Sequence, residues 1–460
     1  MIGAVPPSVP VKRLALGGLL ADGDWVESKD QDPYGNIRVV QLADISEGQL
    51  GFRSNRWINE ETAVRLRVTP LKPGDVLIAR MPDPLGRCCQ VPSELGKAVT
   101  VVDVAILRIS NPVISPRYAM YAINSSQTRN QVLAMATGST RRRITRKRLA
   151  IAQVPLPTLD EQLRVVRFLD HAELRIAQAL ESKRRLVALL DERRRGATQS
   201  LVTAGVGQIG ELKDSGIKWL GAVPAEWDIR PAKFFFREVN ERSLRGEEEL
   251  LSVSHVTGVT PRSSKTITMF MAASYAGHKL CKPGDLIINT MWAWMGALGV
   301  TRQIGIVSPA YGVYRPLPSS PLSSAYADLL LRTQPYVDEY TCRSTGIQAS
   351  RLRLYPDRFL TVPVVCPPPN QQAEIVERAE TETRGLTAAI TAALAEIALL
   401  LEYRATLTSD VVTGKRDVRA EAADFPDVDL AELNAVLSVA IAEDTGQDEE
   451  EGEEGVTHAD

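Results

Sequence analysis

The chain has 460 residues, of which 44% are hydrophobic and 24% charged, so it can bury more than one core; size alone suggests about two to four units. Its five cysteines (Cys88, Cys89, Cys281, Cys342, Cys366) lack paired CxxC spacing, which argues against a disulfide framework or a zinc site and fits a reducing cytoplasm. The net charge of −2 hides a division: residues 418–460 hold fourteen acidic side chains and one arginine, a balance of −13, so the rest of the chain carries +11 and suits a polyanionic partner.

The first twenty residues hold no apolar run long enough for a signal segment, and no stretch approaches the ~18 consecutive apolar residues of a membrane span. A soluble, intracellular protein without a membrane partner is expected. Residues 1–155 read as short strands broken by turn formers: Ile37–Leu42, Val76–Ala79 and Val99–Leu107. In Lys72-Pro73-Gly74-Asp75 the Pro-Gly pair suits the centre of a type II turn, with glycine supplying positive φ. The loop that follows offers Arg80 and Arg87. Further on, Arg141, Arg142, Arg143, Arg146, Lys147 and Arg148 put six cations into eight residues, enough to contact several phosphates.

Val154-Pro155-Leu156-Pro157 forbids a helix through that point, and Asp160 is placed to cap a proline-free helix from Glu161 to about Gln199. Ile176, Leu180, Val187 and Leu190 form a heptad seam along it. Gly205 to Trp227 reads as a connector. A second copy then begins, with landmarks at a constant offset of 210: Lys282-Pro283-Gly284-Asp285, the junction Val364 to Pro369 with Asn370 as cap, Gln372 for Gln162, and a helix from Gln371 to about Thr408. Its seam, Leu386, Ile390, Ile397 and Leu400, matches the first in register. Two helices of roughly 57 Å, related by the repeat, would pack antiparallel on each other.

The copies diverge in their polar loops. The second offers Arg262 and Lys265, then Trp292 and Trp294, then Arg343, Gln348, Arg351 and Arg353, so equivalent positions would read different sequences. No P-loop, HExxH, EF-hand, GxSxG or Asn/Asp-Pro-Pro-Tyr motif is present, so no catalytic site is expected. Residues 418–460 read as an acidic, disordered tail with one short helical stretch, Leu430 to Ala442.

The fold class expected is α+β: two mixed α/β recognition domains in pseudo-twofold arrangement, separated by two long antiparallel coiled-coil helices. The boundaries are a domain over 1–155, a helix over 156–207, a connector and second domain over 208–366, a second helix over 367–417, and the tail. Asp22 to Gln31, Val76 to Pro84, Gly216 to Pro224 and the proline–glutamine junctions at Gln162 and Gln372 together make about residues 10–417 resemble the specificity subunit of type I restriction-modification systems. The resemblance implies two target-recognition domains that each read half of a bipartite, asymmetric site in double-stranded DNA. It also implies two spacer helices that dock methyltransferase subunits, two of them, and a complex completed by restriction (translocase) subunits. Such a chain is not an enzyme and binds no cofactor or metal; S-adenosylmethionine, ATP and Mg belong to its partners. Two other readings remain, a DNA-independent coiled-coil scaffold and a self-contained restriction or methylation enzyme.

Overall fold

The structure is a computed structural model and describes residues 9–82, 84–138, 142–207, 211–264, 274–346 and 352–442. Two compact units divide the chain, and each takes half of each long helix: the first unit comprises 1–185 with 394–456, the second 186–393 with 457–460.

In the first unit a four-stranded antiparallel sheet runs in the order Gly18–Asp22, Val104–Ile109, Val76–Ala79, Cys88–Gln90. Its central strand Val76–Ala79 is buried on both faces, as its unbroken apolar sequence requires. A three-stranded sheet places Ile37–Val40 between Trp57–Ile58, antiparallel, and Ala98–Thr100, parallel. The second unit repeats the four-stranded order with Phe236–Glu238, Gly312–Pro316, Leu286–Ile288 and Leu298–Val300. Val11–Arg13 pairs with Gln153–Pro155 in the first unit, and Asp228–Pro231 with Pro363–Cys366 in the second.

The recurring landmarks are recurring bonds. In the Lys-Pro-Gly-Asp turns Gly74 and Gly284 adopt φ of 86° and 92°. Buried Asp75 accepts from Lys72 N at 2.8 Å and pairs with Arg108 at 2.6 Å; buried Asp285 accepts from Lys282 N at 2.9 Å and pairs with Arg315 at 2.9 Å. Each turn is therefore tied to the neighbouring strand. Gln162, fully buried, accepts from Ser115 N at 3.0 Å and donates to Val113 O and Pro157 O, both at 2.9 Å. Gln372 repeats this with Ser323 N, Pro321 O and Pro367 O at 2.7, 2.9 and 2.7 Å. One amide thus holds the start of a long helix to the helix capped by Ser115 or Ser323.

The long helices exceed the expected lengths, spanning Leu159–Ala204 (46 residues) and Pro369–Val412 (44 residues). Asp160 and Asn370 lie inside the first turn rather than at the cap. Thr158 caps the first helix instead, its N–H and hydroxyl donating to Glu161 Oε2 while its Oγ1 accepts from Glu161 N. The second starts on Pro369, a residue suited to the first helical position because its missing N–H is not needed there. Within the first unit Glu173 bonds Arg404 at 2.7 and 3.0 Å and Lys183 meets Glu396 at 2.5 Å. One number rises as the other falls, so the segments run antiparallel. Within the second unit Val202 and Ile375 share one core. Ile176, Leu180, Ala393 and Ile397 are buried and Val187, Leu190, Leu386, Ile390 and Leu400 half-buried, in the heptad positions of the seam.

The tail departs from expectation over its first part. Residues 418–442 are ordered on the first unit and end in the helix Leu430–Ala442. Phe425 stacks on His171 and Phe168 with centroids 4.6 and 5.9 Å apart, Asp427 pairs with Arg167 at 3.0 Å, and Leu433 and Leu437 pack on Ala177. Enough apolar surface is buried to hold an acidic segment down. Residues 443–460 lie outside the described residues. Four of the five cysteines are buried and none is bridged; burial pushes the thiols of Cys281 and Cys366 up to about 12 and about 11. By length and composition Pro369–Val412 is the one helix among the described residues apolar enough to cross a membrane.

Candidate nucleic-acid interface

From Arg142 onward the basic run of the first unit leads into a short helix. Thr137 and Arg143 exchange backbone hydrogen bonds of 2.9 and 2.8 Å, and Ile144 is fully buried beneath them. Thr145 caps the helix Arg146–Ala150. Several cations of the run are already engaged: Arg143 with Asp103 at 3.1 Å, Arg146 with Asp22 at 3.4 Å, and Arg148 with Met135 O at 2.7 Å. Arg142 and Lys147 are exposed and have no hydrogen bond or ion pair among the described residues. Arg141 lies outside the described residues.

Arg80 and Arg87 correct the sequence reading, because both are buried and turned inward. Arg80 donates to Ile144 O at 3.0 Å, to Val102 O at 3.1 Å and to Asp22; burial pushes its pKa down and Asp22 partly offsets this. Arg87 donates to Ile45 O, Pro84 O and Leu42 O at 2.6, 3.0 and 3.0 Å. Guanidiniums with five donors are well suited to satisfying several buried carbonyls at once, which is the work these two do.

In the second unit Trp292 and Trp294 are half-buried and stacked, centroids 5.7 Å apart, with Trp294 Nε1 donating to Met291 O at 2.9 Å. Arg343 is half-buried and held by Glu339 at 2.6 Å and Thr361 Oγ1 at 2.7 Å. Arg353 is half-buried and exchanges backbone bonds with Thr345. Arg262 is half-buried, its N–H donating to Leu250 O at 2.8 Å. Lys265, Gln348 and Arg351 lie outside the described residues.

The segment Gly51–Trp57 went unnoticed in the sequence. It presents Phe52, Arg53, Asn55 and Arg56 to solvent, and neither arginine has a side-chain partner among the described residues. Its only signal is two arginines and an asparagine between aromatic residues, without periodicity. No group of three or more metal-ligating side chains occurs among the described residues.

A two-unit α+β chain with two antiparallel long helices and polar, divergent loops is the class that this geometry defines. No protein-family model matches the chain. It is 23% identical over 239 residues to the putative type I restriction enzyme MjaX specificity subunit of Methanocaldococcus jannaschii, half of this chain against 52% of that protein, so the chain spans about half the length of the curated relative it matches. Its fold superposes with a TM-score of 0.54 and 17% identity on a chain from a structure of the type I restriction-modification system concerned with complex assembly and conformational transition, covering 90% of this chain and all of that one. The HsdS subunit of Thermoanaerobacter tengcongensis superposes with a TM-score of 0.39 and 16% identity, over 90% of this chain and 98% of that one. The resemblance to type I specificity subunits read from the sequence therefore holds, and the fold is that of a type I restriction-modification chain.

Proposed function

We propose that this chain is the DNA-recognition subunit of a type I restriction-modification complex, reading a bipartite, asymmetric site and directing adenine methylation by partner subunits. The observation that carries the reading is a frame built twice, with the same four-stranded order and the same glutamine clamp, while the exposed loops differ between the copies. Each unit would contact one half of the site through major-groove base edges and neighbouring phosphates. Arg142 and Lys147, both exposed, would serve as phosphate contacts.

Catalysis would belong to the partners: methyltransferase subunits with S-adenosylmethionine, two per chain, and restriction subunits with ATP and Mg, in the cytoplasm. Leu399 and Tyr403, one turn apart and exposed on the second long helix, would offer an apolar patch to such a partner. The test is to purify the chain with and without its methyltransferase subunit and measure duplex retention and adenine methylation. The complex is expected to methylate one motif and the chain alone to methylate nothing. A chain that methylates or cuts DNA unaided would overturn the reading.

A further inference from the structure

The strands Ile37–Val40 and Trp57–Ile58 of the first unit are joined by the long excursion Gln41 to Arg56, whereas the antiparallel strands Leu251–Ser254 and Gly258–Pro261 of the second are joined by His255 to Thr257 alone. The excursion is anchored from beneath. Asp44, fully buried, accepts from Gln41 N at 2.8 Å, from Ser54 N at 2.8 Å and from the Ser54 hydroxyl. Gly51 N donates to Asp44 O at 2.7 Å and Val39 N to Arg56 O at 2.9 Å. Arg38 donates to Ser54 O at 3.0 Å, stands 3.8 Å from Asp44, and lies over the Phe52 ring at 4.3 Å.

These bonds fix the backbone at 51, 54 and 56 and leave the outward side chains unspent. Phe52 is 66% exposed; Arg53 and Arg56 are exposed and unpaired among the described residues. Asn55 accepts from Trp57 Nε1 at 2.7 Å through Oδ1, which fixes the orientation of its amide and leaves Nδ2 to donate. Exposed arginines that serve only solubility need no such foundation. A fixed backbone carrying free guanidiniums, a free amide donor and an exposed ring has what base-edge recognition asks for: bidentate donors for guanine O6 and N7, a donor for an acceptor edge, and an apolar surface for a thymine methyl. The ordering entropy is already spent before binding.

We propose that Gly51–Trp57 is the base-reading element of the first unit, with Arg53, Asn55 and Arg56 as its specificity-determining residues on duplex DNA. This rests on the DNA-recognition function proposed above. Among its described residues the second unit shows no such excursion between Leu251–Ser254 and Gly258–Pro261.

The test uses the full chain in complex with its methyltransferase subunit, and reads the methylated motif by sequencing for the unsubstituted protein and for Arg53→Ala, Arg56→Ala and Lys147→Ala. Arg53→Ala and Arg56→Ala are each expected to relax discrimination at one position of one half-site by about 5- to 150-fold, leaving the other half-site unchanged. Lys147→Ala should weaken all duplexes alike. Melting curves identical to the parent exclude misfolding as the cause. Uniform weakening by the loop variants, or an unchanged motif, would overturn the assignment and leave the proposed function standing. An unsubstituted complex that methylates no defined motif would overturn both.

Discussion

Gln162 and Gln372 make the same three backbone hydrogen bonds with no exposure to water, so replacing either with leucine strands one backbone N–H and two carbonyls in the interior. Gln372→Leu is expected to cost about 3 kcal/mol. Fluorescence of Trp227, buried in the same unit and donating to the neighbouring Gln371 at 2.7 Å, should report the loss in a denaturant titration that Gln162→Leu leaves unmoved. An equal response to both variants would contradict independent clamps. Glu241 provides a pH test, since its hydrogen bonds to Arg315 and then to Lys282 hold its carboxyl down at about 2. A depressed carboxylate stabilises fully above the usual carboxylate range and loses that contribution as pH falls through the folded value. An NMR titration should place Glu241 near 2, and Arg315→Gln should return it toward the ordinary range. At this scale the sequence was legible where a residue recurred in register and illegible where burial decided its role. Nothing local separates inward-turned Arg80 and Arg87 from exposed Arg53 and Arg56.

The seam of the long helices was readable because heptad spacing survives in the residues themselves: Ile176, Leu180, Ile397 and their fellows stand where the period puts them. The helix ends were not, because Thr158 and Pro369 outcompete the neighbouring Asp160 and Asn370 through geometry visible only once the chain is folded. Ile397→Ala is expected to cost about 2–4 kcal/mol by leaving a cavity, whereas Leu399→Ala, at a site 64% exposed, should change stability by less than about 0.5 kcal/mol in the uncomplexed chain. Thermal or denaturant melts of the two variants check this. The ordered segment 418–442 was hidden by its acidic composition, since its landing track lies far away in sequence. That track, Phe168, His171, Leu174 and Ala177, is apolar or aromatic, while the residues 210 further on, Arg378, Thr381, Arg384 and Thr387, are polar and exposed. The repeat is broken where the segment binds. Deleting residues 418–460 should raise amide hydrogen exchange between Phe168 and Ala177 and leave Arg378 to Thr387 unchanged; equal change in both, or none, would contradict a dedicated track.

Across the whole molecule the 210-residue repeat was the strongest signal in the sequence, and it marks a shared frame: the turn aspartates, the glutamine clamps, the sheet order and the seam. Apart from the helix track that receives residues 418–442, the differences described between the units lie in surface loops, whose conformations depend on contacts such as Asp44 with Ser54 that no local pattern announces. A frame built twice and faced differently predicts a site with two unlike halves at fixed separation. The most direct measurement is sequencing of methylated adenines in a host that carries this chain with its methyltransferase subunit, repeated after residues 1–155 are exchanged for those of a related chain. The account predicts a bipartite, non-palindromic motif in which the exchange rewrites one half and leaves the other intact. A palindromic or undivided motif, or a change in both halves, would contradict it.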